Sequence, residues 1–158
     1  MLSLRTLVED ALITPARRDL VATPPRIAAP DATTRAVLGY LSTNCGSCHN
    51  AESSIASLGL LLKARLAPPH LAPSHPDDPV RSLFRRTAKW HIPQVPEDAS
   101  AFVTPGSPDL SALLVRMRSR RPSSQMPPLG TVVHDRDAVA LVSAWIERLG
   151  TSPHFQAP

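Results

Sequence analysis

Cys45-Gly46-Ser47-Cys48-His49 is the stretch of this chain whose residue types and spacing can do chemistry. Two thiols three residues apart, followed directly by an imidazole, form the attachment pattern of a c-type haem. Thiols so placed can add to the two vinyl groups on neighbouring edges of one porphyrin. The next residue then lies under the iron and donates a ring nitrogen. Gly46 and Ser47 are small and let the backbone lie close to a flat ring. Two other readings compete for the same residues. A zinc site normally takes four ligands; with no third cysteine, His70 and His75 are the remaining pair at a suitable spacing. A thioredoxin-like dithiol needs a βαβ context, and no such pattern flanks the motif.

A haem iron has a sixth position, and Gln125-Met126-Pro127-Pro128-Leu129-Gly130 offers a ligand for it. A thioether is soft and neutral, favours ferrous iron and raises the reduction potential. Two prolines directly after Met126 stiffen the loop, so little entropy remains to be lost when the sulfur binds. Met117 falls on the apolar stripe of a helix and reads as core, and Met1 sits on the distant N-terminal segment. His70, His75, His91, His134 and His154 read as solvated or capping residues, with His91 and His134 the nearest rivals to Met126.

The elements that must position these groups are mainly helical. At 158 residues the chain suits one domain plus an arm. Eighteen prolines exclude long stretches of ordinary helix or central strand, and six aromatic residues (two Trp, one Tyr, three Phe) are few for a core of this size. Residues 1–30 divide into an amphipathic start, with Leu4, Leu7, Val8 and Leu12 at helical spacing, and a proline-bearing arm that reads as extended. A first core helix is predicted from about Asp31–Thr34, with Val37, Leu38, Leu41 and Cys45 on one face and a close packing contact at Gly39. Five prolines between Ala67 and Pro79 rule out regular structure there, and Arg81–Trp90 has room for a short helix. A second helix is predicted from Ser107-Pro108, with Leu110, Leu113, Leu114 and Met117 as its stripe, ending at Pro122. The last helix is capped by Asp135, buries Ala138, Leu141, Val142, Trp145 and Leu149, and stops at Gly150. No strand signal stands out.

At this point the chain resembles a family, the small monohaem c-type cytochrome domains of bacteria. These are broadly class I cytochrome c-like, of the kind found at the C-terminus of larger periplasmic or secreted proteins. The residues that carry the resemblance run from Tyr40 to Asn50 through the attachment motif, then Leu58-Gly59-Leu60. They continue with Val103-Thr104-Pro105-Gly106-Ser107-Pro108, the segment to Leu114, Arg116, Met126-Pro127-Pro128-Leu129-Gly130 and Trp145-Ile146. The resemblance covers roughly residues 31–150, leaving 151–158 as a C-terminal tail. It implies a cytochrome c-like arrangement of helices around one covalent haem c, held by Cys45 and Cys48 with His49 as proximal and Met126 as distal ligand. Leu60 and Pro127 would lie against the ring. The first and last helices would cross, packing Gly39 and Tyr40 or Leu41 against the Trp145 face. Residues 63–100 carry no motif of the family. There Pro68 or Pro69 is a candidate carbonyl partner for the His49 ring N–H.

The net charge of +4 rests on fifteen arginines and two lysines, Lys63 and Lys89. Arg116 is a candidate partner for a haem propionate, its alternative being a solvated helix position. Arg118, Arg120 and Arg121 read as surface charge, suited to docking an acidic redox partner. Nucleic-acid binding is disfavoured, since no recognition motif occurs and few aromatics are available to stack. The longest apolar run, Leu58–Leu62, is far short of the ~20 residues of a membrane span. Function is therefore expected to be electron transfer, with no catalytic residues. The rivals are a haem with an open sixth position, as in a peroxidase or a gas or redox sensor, and a zinc-binding interaction module. Covalent haem attachment normally takes place outside the bacterial cytoplasm, so a periplasmic or extracellular location is expected. The first residues lack a continuous apolar region, Glu9 and Asp10 interrupting it. The expected export signal has then been removed, or the chain is part of something larger, whose upstream domain or complex the N-terminal arm contacts.

Overall fold

The computed structural model describes residues 4–15, 18–24, 26–64, 66–67, 79–84 and 89–151. Their elements follow in the order α1 (Leu4–Glu9), α2 (Arg18–Ala22), β1 (Arg26–Ile27), α3 (Ala32–Asn44), β2 (Leu66–Ala67), α4 (Pro79–Leu83), α5 (Ala112–Arg118) and α6 (Arg136–Leu149), with three short 3-10 turns between them. The chain is mainly α. No helix among the described residues is long and apolar enough to cross a membrane.

Helices α3 and α6 form the scaffold, and each starts on an aspartate that accepts an otherwise unpaired backbone N–H. Asp31 accepts from the Thr34 N–H at 3.0 Å and from the Thr34 hydroxyl at 2.6 Å. Asp135 accepts from the Ala138 N–H at 3.0 Å. The Thr34 hydroxyl and N–H hold the Asp31 carboxyl below the usual carboxylate range. Trp145, 2% exposed, closes a relay by donating its indole N–H to the Thr34 hydroxyl at 3.1 Å. The polar atom of the largest buried side chain thus ties α6 to the start of α3 at no cost in unpaired groups. Val37, Leu38 and Leu41 from α3 meet Val142, Trp145, Ile146 and Leu149 from α6 in a single core.

The packing contact expected to be close at Gly39 is an ordinary one. A Cβ on Gly39 would meet only the Ile27 side chain, at 3.8 Å, an ordinary contact. The tight approach is between Gly106 and Gly150, where a Cβ on Gly150 would come within 2.6 Å of the Gly106 Cα. There the Gly106 N–H donates to the Ile146 carbonyl at 2.8 Å. Gly150 has ordinary helical dihedrals, so its lack of a side chain serves this contact and not a left-handed stop.

The second helix is shorter than the sequence pattern suggests. Pro108–Leu110 is a 3-10 turn, and Ser111 is extended before α5 begins. Backbone carbonyls of Ala101 and Phe102 accept the Ala112 and Leu113 N–H groups at 3.1 and 2.9 Å, satisfying the start of α5 from outside the helix. Leu110 consequently leaves the apolar stripe and is 45% exposed, while Leu113, Leu114 and Met117 stay buried.

The N-terminal arm is not uniformly extended either. It contains α2, and β1 pairs antiparallel with β2 through Arg26 opposite Ala67 and Ile27 opposite Leu66. The Arg35 guanidinium fastens it to α3 by donating to the Ile27 and Ala29 carbonyls at 3.1 and 3.4 Å. Two-residue strands are too short to leave an alternating pattern, so they escape any reading of periodicity. Helix α4 begins at Pro79, two residues ahead of the expected stretch, with proline at a first-turn position where it lacks no needed N–H. His70, His75, His154, Pro68 and Pro69 lie outside the described residues, so the carbonyl proposed for the His49 ring does too.

Candidate cofactor site

The attachment motif unwinds the end of α3 into a tight turn. The Cys45 N–H donates to the Leu41 carbonyl at 2.9 Å, and the Cys48 and His49 N–H groups both return to the Cys45 carbonyl, at 3.1 and 2.9 Å. That continued turn puts Cys45 and His49, four residues apart, on one side. The Asn50 amide spans the turn from outside, donating to the Gly46 and Ser47 carbonyls at 2.9 Å each. Gly46 is buried, and a Cβ there would strike the Ser42 carbonyl oxygen and come within 3.1 Å of the Lys63 Cα. Small size at Gly46 is therefore required by its own helix and by the returning chain.

That returning chain builds the wall beside the motif. The Leu62 N–H donates to the His49 carbonyl at 2.8 Å, and the Ala64 N–H to the Ser42 hydroxyl at 3.0 Å. On its other side Ser82 of α4 accepts the Leu61 N–H at 3.0 Å and donates to the Leu61 carbonyl at 2.8 Å. The 63–100 stretch, without a motif in the sequence, supplies this brace.

Opposite, Met126 is placed by the end of α5. Its N–H donates to the Arg116 carbonyl at 3.1 Å, and the Gln125 N–H to the Arg121 carbonyl at 2.8 Å. The Arg116 Nε donates to the Ser124 carbonyl at 3.1 Å, and its guanidinium lies 4.9 Å from the centre of the Trp90 ring. Such stacking of cation on indole holds both groups in place.

Between these walls lies a cavity of about 510 Å3, in the range of cofactor sites. Cys45, Cys48, His49, Leu60, Arg116, Met126 and Pro127 all line it, so residues 45 and 126, far apart in sequence, face one space. Apolar Leu58, Leu62, Phe102, Leu113, Met117 and Val139 complete much of the wall. Arg116, for which a solvated position was the alternative, is half-buried. Arg120, expected on the surface, also lines the cavity, and its Nε is buried without a hydrogen-bond partner. Arg118 does stand on the surface, ion-paired to Asp109 at 2.7 Å. Neither His91 nor His134 reaches the cavity lining.

Electrostatically the site disfavours charge on its own acidic and basic groups. Burial, and then the neighbouring Cys48, push the Cys45 thiol up to about 11. Burial, and then the Arg116 charge, lower His49, with the Leu60 backbone acting the other way. The His49 Nδ1 is buried and has no hydrogen-bond partner among the described residues. Burial and then Asp135 raise Tyr40, which also lines the cavity. Among the described residues no carboxylate pairs with Arg116 or Arg120.

Chemically the cavity offers two thiols, an imidazole, a thioether and two guanidinium groups with no counter-ion among the described residues, set in largely apolar walls. That donor set fits a flat, mostly apolar ligand bearing a soft metal and carboxylate substituents. Among the described residues no three His, Cys, Asp or Glu side chains converge as a metal site would require. Trp90, Arg120, Tyr40, Phe102, Asp135 and Val139 were not expected at the site. Arg120 lies beyond the end of α5, where Ser119 is extended, so helical spacing from Arg116 does not account for its place in the lining. No family model matches the chain, and neither a curated protein nor a solved structure matches it.

Proposed function

We propose that this chain is an electron-transfer domain holding one covalent haem c, with His49 and Met126 as axial ligands. The observation that carries the reading is that Cys45, Cys48, His49 and Met126 line a single apolar cavity. A haem bound there supplies a one-electron ferric–ferrous couple. Cys45 and Cys48 would hold the ring by thioether bonds, and the returning Leu60–Leu62 segment would exclude water from the His49 side. The lowered proton affinity of His49 keeps its imidazole neutral, the form a metal requires. Arg116, fixed by Trp90 and the Ser124 carbonyl, and Arg120 would meet the propionates with charge-assisted hydrogen bonds. If His49 and Met126 both held the metal, no substrate site would remain on it, which favours a carrier over a peroxidase or sensor. Maturation of such a site implies a periplasmic or extracellular location, and use of it implies a redox partner protein.

Met126→Ala tests the reading. The variant is expected to keep its covalent haem, lose the weak far-red band of iron–methionine ligation, fall in reduction potential and bind carbon monoxide when reduced. An unchanged spectrum and potential would show that another group ligates. A colourless protein carrying zinc would overturn the haem itself.

A further inference from the structure

The Met126-Pro127-Pro128 loop faces a hydrogen-bonding deficit. Proline brings a carbonyl and no N–H, so residues 127 and 128 offer two acceptors and no backbone donor with which to fasten themselves. The donors come from side chains on either flank. The Gln125 amide Nε2 donates to the Pro128 carbonyl at 2.9 Å, and the Thr131 hydroxyl donates to the Pro127 carbonyl at 3.3 Å. The two are not equivalent. Thr131 acts in an exposed setting, whereas Gln125 is only 9% exposed. Gln125 is itself anchored, since its N–H donates to the Arg121 carbonyl, and the next N–H, that of Met126, donates to Arg116. Met126 is therefore gripped by backbone on its N-terminal side and by one buried amide on its C-terminal side.

We propose that Gln125 is a positioning residue for Met126, standing in for the donors the two prolines lack and keeping the thioether directed at the cavity. The proposal rests on the reading of Met126 as distal ligand. Proline stiffness alone would leave the loop free to pivot as a rigid piece about residue 126. A side-chain bond three residues along closes it into a ring and removes that pivot. Pro128 itself is exposed, so water meets the freed carbonyl, and what the loss of the amide removes is the tie that holds the loop closed.

The test uses the full chain carrying haem, with imidazole displacing the distal ligand and the far-red band as readout. Gln125→Leu is expected to raise the limiting displacement rate about fivefold, the scale of one net hydrogen bond. Gln125→Glu, equal in size but lacking the donor when ionised, is expected to do the same and covers a failure of leucine to pack. Thr131→Val is expected to change the rate by less than about threefold, its bond being exposed. The decisive measurement repeats Gln125→Leu in the Met126→Ala background, where imidazole binding should no longer respond. A wild-type rate in both Gln125 variants would overturn the positioning role while leaving Met126 ligation intact. So would equal acceleration with and without Met126, which is general loosening of the cavity. A wild-type protein without the far-red band would overturn both the proposal and the ligation it rests on.

Discussion

The two walls of the cavity are made by different means. The wall that carries Cys45, Cys48 and His49 is backbone bonded to backbone: the end of α3, the turn of the motif and the strand-like return at Leu60–Ala64 hold one another through main-chain groups. Side chains enter there as braces, through Ser42, Asn50 and Ser82. The wall that carries Met126 is held by backbone only ahead of the methionine, at Gln125 and Met126; beyond it come two prolines, fastened by the Gln125 and Thr131 side chains. Beyond them the chain is open: Leu129, Val132 and Val133 are 83%, 89% and 74% exposed. Main-chain bonds survive substitution of the side chains around them, and side-chain bonds do not. The first wall should therefore respond to changes in an all-or-none way and the second by degrees.

The largest effect is expected at the thiols. Replacing both Cys45 and Cys48 by serine should abolish covalently retained haem altogether, measured as haem staining after denaturing electrophoresis, with single replacements keeping one thioether. Retention in the double variant would remove the attachment motif from its assigned role. Next in size is Gly46→Ala, whose new methyl group meets the Ser42 carbonyl and the Lys63 backbone, neither of which can swing aside. A cost of about 2–3 kcal/mol in urea unfolding is expected. Its counterpart in the other wall is Gly130→Ala, where nothing lies within 4 Å and only the left-handed φ of +75° opposes a side chain. That change should cost about 1 kcal/mol. Equal costs at the two glycines would erase the contrast between a packed wall and an open one.

What the sequence made legible follows the same division. Regular helices with side-chain caps were readable: Asp31 and Asp135 start α3 and α6 because an aspartate before a helical stripe has one evident use. Cys45, Cys48, His49 and Met126 stood out by residue type and spacing, and all four line one cavity. Leu110 was misplaced because a periodic stripe does not reveal that Ser111 leaves the helix to meet Ala101. Gly39 was misplaced because a glycine within a helix shows that space is needed or tolerated without naming the neighbour. Arg120 was assigned to the surface because charge normally belongs there, and only its place in the cavity lining, with no ion pair among the described residues, gives it another use. Trp90 was hidden for a different reason. Its place depends on Arg116, distant in sequence and joined to it only through the ring face.

The smallest effect sharpens the contrast through pH, before any haem is attached. Cys45 is half-buried and Cys48 exposed, although the two belong to one turn. Burial raises the Cys45 thiol from 9.0 to about 11, so the folded chain holds this proton more tightly than the unfolded chain does. Stability from that difference is complete below pH 9 and is lost as pH climbs toward 11, because the unfolded state releases its proton first. The loss should be somewhat under 1 kcal/mol by about pH 9.5. The measurement is the urea midpoint of the haem-free chain from neutral to alkaline pH, compared with Cys45→Ala. The alanine variant should lack this part of the slope, together with the share of the Tyr40 rise that the Cys45 charge contributes, while the larger share due to burial stays in both. Alkylation gives the same answer by rate: Cys48 should react well ahead of Cys45 near neutral pH, with Cys45 catching up as the solution becomes alkaline. Parallel slopes and equal alkylation rates would mean that the first wall is not closed around Cys45 in the chain alone.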